Sequence, residues 1–159
     1  FLVCAASANE AYRRSYEITS LSKPIKALGL TCPVSCLHEM AKSQDEMTRE
    51  WMQVLYGGEP EQSSLWNCSD YADILTDCKE LPSIYILTTK GDQKYYRQSL
   101  ALHDLMNRKQ IEHVPPCIRE WESMENKDLG HVFNVLYPAC QDSRAANQEM
   151  VYFFLNVRR

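Results

Sequence analysis

The chain has 159 residues and a formal net charge of −4, long enough for a domain with a core of its own. Acidic and basic residues are mixed along it without a basic stripe, which argues against nucleic acid as a partner. No apolar run approaches the ~20 residues that span a bilayer, so no membrane partner is expected; the cysteine usage, without a disulfide pattern, reads as cytoplasmic.

Taken in order, the chain opens on Phe1-Leu2-Val3-Cys4, followed by Ala5-Ala6-Ser7-Ala8-Asn9 and a polar stretch of helical spacing. This is the outline of a strand entering a tight turn and leaving as a helix, with Ser7 on the turn. The first residue is Phe, inside what reads as a buried strand, so the chain is expected to be truncated at its amino terminus. A helix is expected over 10–21, with Ala11, Tyr12, Ser15, Tyr16 and Ile18 inward, until Ser22-Lys23-Pro24 breaks it. The short apolar run 25–30 suits a buried strand. A helix between two such strands implies a parallel sheet.

From 37 to 80 no strand pattern is evident, and this stretch reads as a helical excursion over the sheet edge. Ser43-Gln44-Asp45-Glu46 has the form of a capping box. Met47, Trp51, Val54 and Leu55 then recur at helical spacing as an expected inner face, with Met47 in the core, until Gly57-Gly58 stops the helix. Trp51, Trp66 and Tyr71 have two readings, the lining of an acyl pocket or a small core of the excursion itself, and the second is preferred.

A β-rich strand follows at 83–87, then a polar turn at 88–94 containing Thr88-Thr89-Lys90-Gly91-Asp92, then a helix over 95–106. The run 117–121 alternates charged and apolar residues, as a strand near a sheet edge does. A polar loop over 122–130 delivers His131. A final helix over 143–156 has Met150, Phe153, Phe154 and Val157 on its apolar face.

Seven cysteines, at positions 4, 32, 36, 68, 78, 117 and 140, fit no disulfide framework. Cys32 and Cys36 lack the spacing of a redox or zinc motif, so reduced, mostly buried thiols are expected, with no metal and no cofactor. His38, His103 and His113 stand among polar residues and read as surface groups. Glu120, Glu122 and Glu125 read as a solvated face.

Alone, Ser7 suits any tight turn, Gly91-Asp92 is a common turn pair, and His131 could cap a loop. Together they occupy equivalent places, where strands end in an open parallel sheet, and ligands bind at such ends. Their order along the chain, Ser then Asp then His, gives a nucleophile, an orienting acid and a base.

Pro82-Ser83-Ile84-Tyr85-Ile86 through Gly91-Asp92, Gly130-His131-Val132-Phe133-Asn134 with Tyr137-Pro138, and Ser143, Ala146-Asn147 and Phe153 resemble the α/β-hydrolase superfamily. The resemblance is to the carboxy-terminal half of its acetyl esterase/lipase branch, related to hormone-sensitive lipase. Leu55-Tyr56-Gly57 followed by Leu75 is similar to that family's cap-like segment. The resemblance implies a partial α/β-hydrolase fold, a mostly parallel sheet flanked by helices with a helical cap-like insertion at 37–80, in a single domain over 1–159. It implies a catalytic triad of Ser7, Asp92 and His131, an oxyanion donor in the Ala8 backbone N–H, and a small-molecule ester as substrate. Where the family has Gly-x-Ser-x-Gly, this chain has Ala5-Ala6-Ser7-Ala8-Asn9, so both glycines of a cramped turn are replaced. The family's glycine-rich oxyanion loop and the strand beside 1–5 would lie upstream. The absent half, or a second copy of the chain, is the partner such a bare strand edge calls for. Three functions stay open: an ester hydrolase for short acyl groups, a serine peptidase of the prolyl-oligopeptidase type, and a hydrolase-like scaffold without activity.

Overall fold

A computed structural model of the chain describes residues 9–15, 17–19, 23, 25–75, 78, 81–108, 117–125 and 127–157. The expected strand at 1–5, Ser7, Ala8 and His113 lie outside the described residues. The elements are α1 (Glu10–Ser15), β1 (Ala27–Thr31), α2 (Leu37–Ala41), α3 (Glu46–Tyr56), two 3₁₀ turns (Pro60–Gln62 and Trp66–Cys68), α4 (Tyr71–Ile74), β2 (Ser83–Thr88), α5 (Tyr96–Arg108), β3 (Cys117–Glu120), α6 (Phe133–Leu136) and α7 (Gln141–Asn156).

The described strands form a parallel sheet in the order β1-β2-β3, with Thr31 opposite Leu87 and Thr88 opposite Glu120. β2 is the middle strand, and its side chains alternate between two cores. Ile84 and Ile86 point to one face, against Leu30, Leu75, Leu81 and the Leu102 and Met106 of α5. Tyr85 and Leu87 point to the other, against Trp121, Leu129, Phe133 and the Ala146 of α7. A strand whose four central residues, 84–87, are apolar and buried on both faces is what a parallel sheet between helix layers demands. Each such aliphatic side chain contributes about 1.5–3 kcal/mol by its burial. A parallel sheet flanked by helices matches the expectation for a partial α/β-hydrolase fold.

Four expectations are corrected. The first helix ends at Ser15 rather than 21. Glu17 N–H donates to Arg14 O and Ile18 N–H to Arg13 O, with Glu17 in the left-handed region at φ 51°. That pair of bonds is a Schellman closure, which periodicity does not announce because glutamate stands where glycine is usual. The start of α3 is capped by Asp45, whose carboxylate accepts from Thr48 N at 3.2 Å, not by Ser43, whose hydroxyl accepts from Asp45 N.

α3 also buries a different face from the one expected. Thr48, Met52 and Tyr56 are buried, whereas Trp51 is 56% and Val54 83% exposed, and Met47 and Leu55 lie outside with them. Both stripes have helical spacing, and tertiary packing chose the one with fewer apolar residues. Met52 and Tyr56 close with Met40 and the half-buried Trp66 into a third, small core, the second of the readings weighed for Trp66. His38 is not a free surface group. Its ring stacks on Trp66 at 3.8 Å, its Nδ1 lies 3.3 Å from Asp70 Oδ2 and its Nε2 lies 2.9 Å from Trp66 O.

The helices after β1 are docked on the start of α5. Ser35 N–H donates to Gln98 Oε1 at 2.9 Å and Ser35 Oγ to Gln98 O at 2.8 Å. Lys94 reaches Thr48 Oγ1 at 2.7 Å and Asp45 Oδ2 at 3.4 Å. Among the described residues no helix is long and apolar enough to cross a membrane.

Candidate active site

The carboxyl ends of β1, β2 and β3 lie side by side, and the ladder continues one residue past each neighbour of β2. Cys32 N–H donates to Leu87 O and Trp121 N–H to Thr88 O, both at 2.7 Å. The turn after β2 carries Asp92, which is 2% exposed. Its Oδ1 accepts from Tyr95 N at 3.2 Å, a local turn that fixes the carboxylate at the entrance to α5. Its Oδ2 accepts from His131 Nδ1 at 2.8 Å. A buried carboxylate on Nδ1 selects the tautomer with the proton there and leaves Nε2 with its lone pair. The His131 side chain is 38% exposed, and Tyr95 flanks its ring at a centroid distance of 4.6 Å. The pair is thus anchored on the protein side and open on the solvent side.

Three devices hold the histidine loop against the acid turn. Asp142, buried at the start of α7, accepts from Trp121 Nε1 at 3.0 Å, Ser123 Oγ at 2.9 Å and Met124 N at 2.9 Å. Burial works against its charge, but these hydrogen bonds outweigh it and hold its carboxyl below the usual carboxylate range. Gly91 has no room for a side chain. A Cβ there would stand 2.3 Å from Asp128 Oδ1 and 2.3 Å from Leu129 O. Finally, Asn134 Nδ2 donates to Asn147 Oδ1 at 2.7 Å, Asn147 Nδ2 to Asn134 O at 3.1 Å, and Ser143 Oγ to Phe133 O at 3.1 Å. These bonds couple the short α6, which follows His131 directly, to the long α7.

Cys32 is a third member of this cluster. One donor atom from each of Cys32, Asp92 and His131 lies within 4.8 Å of the others. Both Cys32 (φ 45°) and Val132 (φ 47°) adopt the left-handed backbone that L residues avoid, and they meet, with Val132 N–H donating to Cys32 Sγ at 3.4 Å. Strain of about 1–3 kcal/mol per residue survives only where the surroundings enforce it, and functional sites are where it gathers. Burial first, with the Asp92 charge adding to it, pushes the Cys32 thiol up to about 12, against the opposing Val132 N–H and Thr88 hydroxyl. A thiol so reluctant to ionise is a poor nucleophile.

The structure therefore brings Asp92 and His131 into contact, while Ser7 and Ala8 fall outside the described residues. The sequence shows no His/Cys cluster around Cys32 and Cys36, and in the fold Cys32 stands beside Asp92 and His131. Its partners lie 60 and 99 positions away in sequence, so no local spacing could reveal the group; its place at a strand end was the available signal. The expectation of mostly buried thiols holds for Cys32 and Cys78, while Cys36 and Cys140 are half-buried and Cys117 is exposed.

No protein-family model matches the chain, and no curated protein does. Solved structures match it by fold. Esterase B from Lactobacillus rhamnosis (HN001) superimposes with a TM-score of 0.80 at 19% identity, over 98% of this chain and 48% of that one. The same esterase inhibited by a C4-C4 tributyrin phosphonate superimposes with a TM-score of 0.80 at 20% identity. The chain spans about half the length of these esterase structures. At this identity the likeness is one of architecture, and it agrees with the partial α/β-hydrolase fold described above.

Proposed function

We propose that the protein is a carboxylic-ester hydrolase for short-chain acyl esters, acetyl esters foremost, in which Ser7, His131 and Asp92 act as nucleophile, base and orienting acid. The observation that carries this reading is the buried Asp92 carboxylate on His131 Nδ1, at the strand ends of a fold shared with an esterase. His131 Nε2 takes the proton of Ser7 as its Oγ adds to the ester carbonyl. The Ala8 N–H donates to the oxyanion that forms. Asp92 stabilises the imidazolium without taking its proton. The tetrahedral intermediate collapses as His131 protonates the leaving alcohol, and water, deprotonated by the same imidazole, then releases the acid from Ser7. The acetyl esterase/lipase branch suggested by the residues around Gly91-Asp92 and Gly130-His131 favours a small acyl group, as does the tributyrin phosphonate bound by esterase B.

Hydrolysis of p-nitrophenyl acetate by the purified protein tests the proposal. Ser7→Ala is expected to lower kcat by at least ~10³-fold, since a triad works as a unit. Equal rates for the two proteins would refute it.

A further inference from the structure

We propose that Cys32, Asp92 and His131 bind a thiophilic divalent cation, with zinc as the prototype, held by one sulfur, one oxygen and one nitrogen. The three donors are the types that zinc takes, and they come from three separate segments at the ends of β1 and β2 and the start of α6. Their donor atoms lie within 4.8 Å of one another. Metal–ligand lengths of about 2.0–2.3 Å put tetrahedral neighbours roughly 3.3–3.8 Å apart, so the widest pair closes by up to about an ångström while Asp92 Oδ2 and His131 Nδ1, now 2.8 Å apart, move slightly further apart.

The surroundings fit a metal thiolate. Cys32 and Asp92 are each 2% exposed, so the two charge-bearing ligands are shielded, whereas the exposed edge of His131 leaves an entry and a fourth position for water. Val132 N–H already points at the sulfur, the kind of outer hydrogen bond that steadies a bound thiolate. When a dication binds, the S–H proton leaves to solvent as the S–metal bond forms, and thiolate plus carboxylate neutralise the bound charge. On the ester-hydrolase reading, occupancy and catalysis exclude one another, because the cation replaces the Asp92–His131 hydrogen bond.

Cobalt(II) titration of the reduced, purified protein tests the site without any use of activity. A thiolate-to-cobalt charge-transfer band that saturates at one equivalent and is displaced by zinc is the expected result. Cys32→Ser is expected to weaken binding at least ~10-fold and abolish the band while the other cysteines remain, and His131→Asn to weaken it similarly. If Cys32→Ser does not fold, Cys32→Thr carries the same test. No band in the wild-type protein, or an undiminished band in any folded Cys32 or His131 variant, would overturn the proposal. Either result leaves the ester-hydrolase reading standing, and loss of that reading leaves this one.

Discussion

Gly91→Ala isolates the mechanical link between the acid turn and the histidine loop. The new methyl group would stand 2.3 Å from Leu129 O and 2.3 Å from Asp128 Oδ1, against an ordinary contact of 3.4 Å or more. The Asp128 carboxylate can swing away, but the Leu129 carbonyl belongs to the backbone. One of the two segments must therefore retreat by about 1 Å, the shortfall between 2.3 and 3.4 Å. Overpacking of this kind costs about 1–3 kcal/mol. His131 follows Leu129 by two residues and Asp92 follows Gly91 by one, so the retreat is delivered to the 2.8 Å bond between them. A misplacement of about 1 Å in a reacting group costs on the order of 10²-fold in rate. The variant is expected to lose about 1–3 kcal/mol in urea unfolding and about 10²-fold in kcat on p-nitrophenyl acetate, with KM little changed. Wild-type stability together with wild-type kcat would show that the two segments are not braced against each other as described.

The orientation of α3 predicts a contrast between neighbours: Met52→Ala should cost about 2–5 kcal/mol, and Trp51→Ala no more than about 0.5 kcal/mol. Urea melts of the two decide it, and the reverse order would put the helix the other way round. Asp142→Asn leaves buried donors badly matched and should destabilise by about 1–3 kcal/mol at neutral pH. Because the folded-state pKa of Asp142 is depressed, its contribution is present in full above the ordinary carboxylate value. It fades as pH falls through the lower folded value, so the gap between wild type and variant in unfolding free energy should shrink below about pH 4; a gap that widens there would contradict the assignment. Cys32, with its thiol pushed up to about 12, should resist iodoacetamide at pH 8 in the native protein while exposed Cys117 reacts, as peptide mass spectrometry would report; equal labelling would refute the burial argument.

What was legible in the sequence was what one dominant local force determines. β2 could be read because every residue from Ile84 to Leu87 is apolar, and a strand buried on both faces has no alternative. The acid turn and the histidine loop could be read because Gly91-Asp92 and Gly130-His131 are short motifs at strand and loop ends. α3 misled because it carries two apolar stripes, and the choice between them was made by Met40, Trp66 and Tyr95, which no helical period can see. Its cap misled because Ser43, Asp45 and Glu46 all have capping chemistry, and Asp45 wins by bonding Thr48. The partners of Cys32 were not legible for a related reason: a thiol's neighbours are a property of the fold, and its sequence spacing to Cys36 says nothing of Asp92 or His131.

Ester hydrolysis by this protein requires that the Asp92–His131 pair activate the Ser7 hydroxyl. Treating the purified protein with a fluorophosphonate and sequencing its peptides by mass spectrometry addresses this directly. Stoichiometric phosphonylation of Ser7, lost in His131→Ala and slowed strongly in Asp92→Asn, is the expected result. No adduct, or an adduct on Ser7 that forms as fast without the histidine, would contradict it.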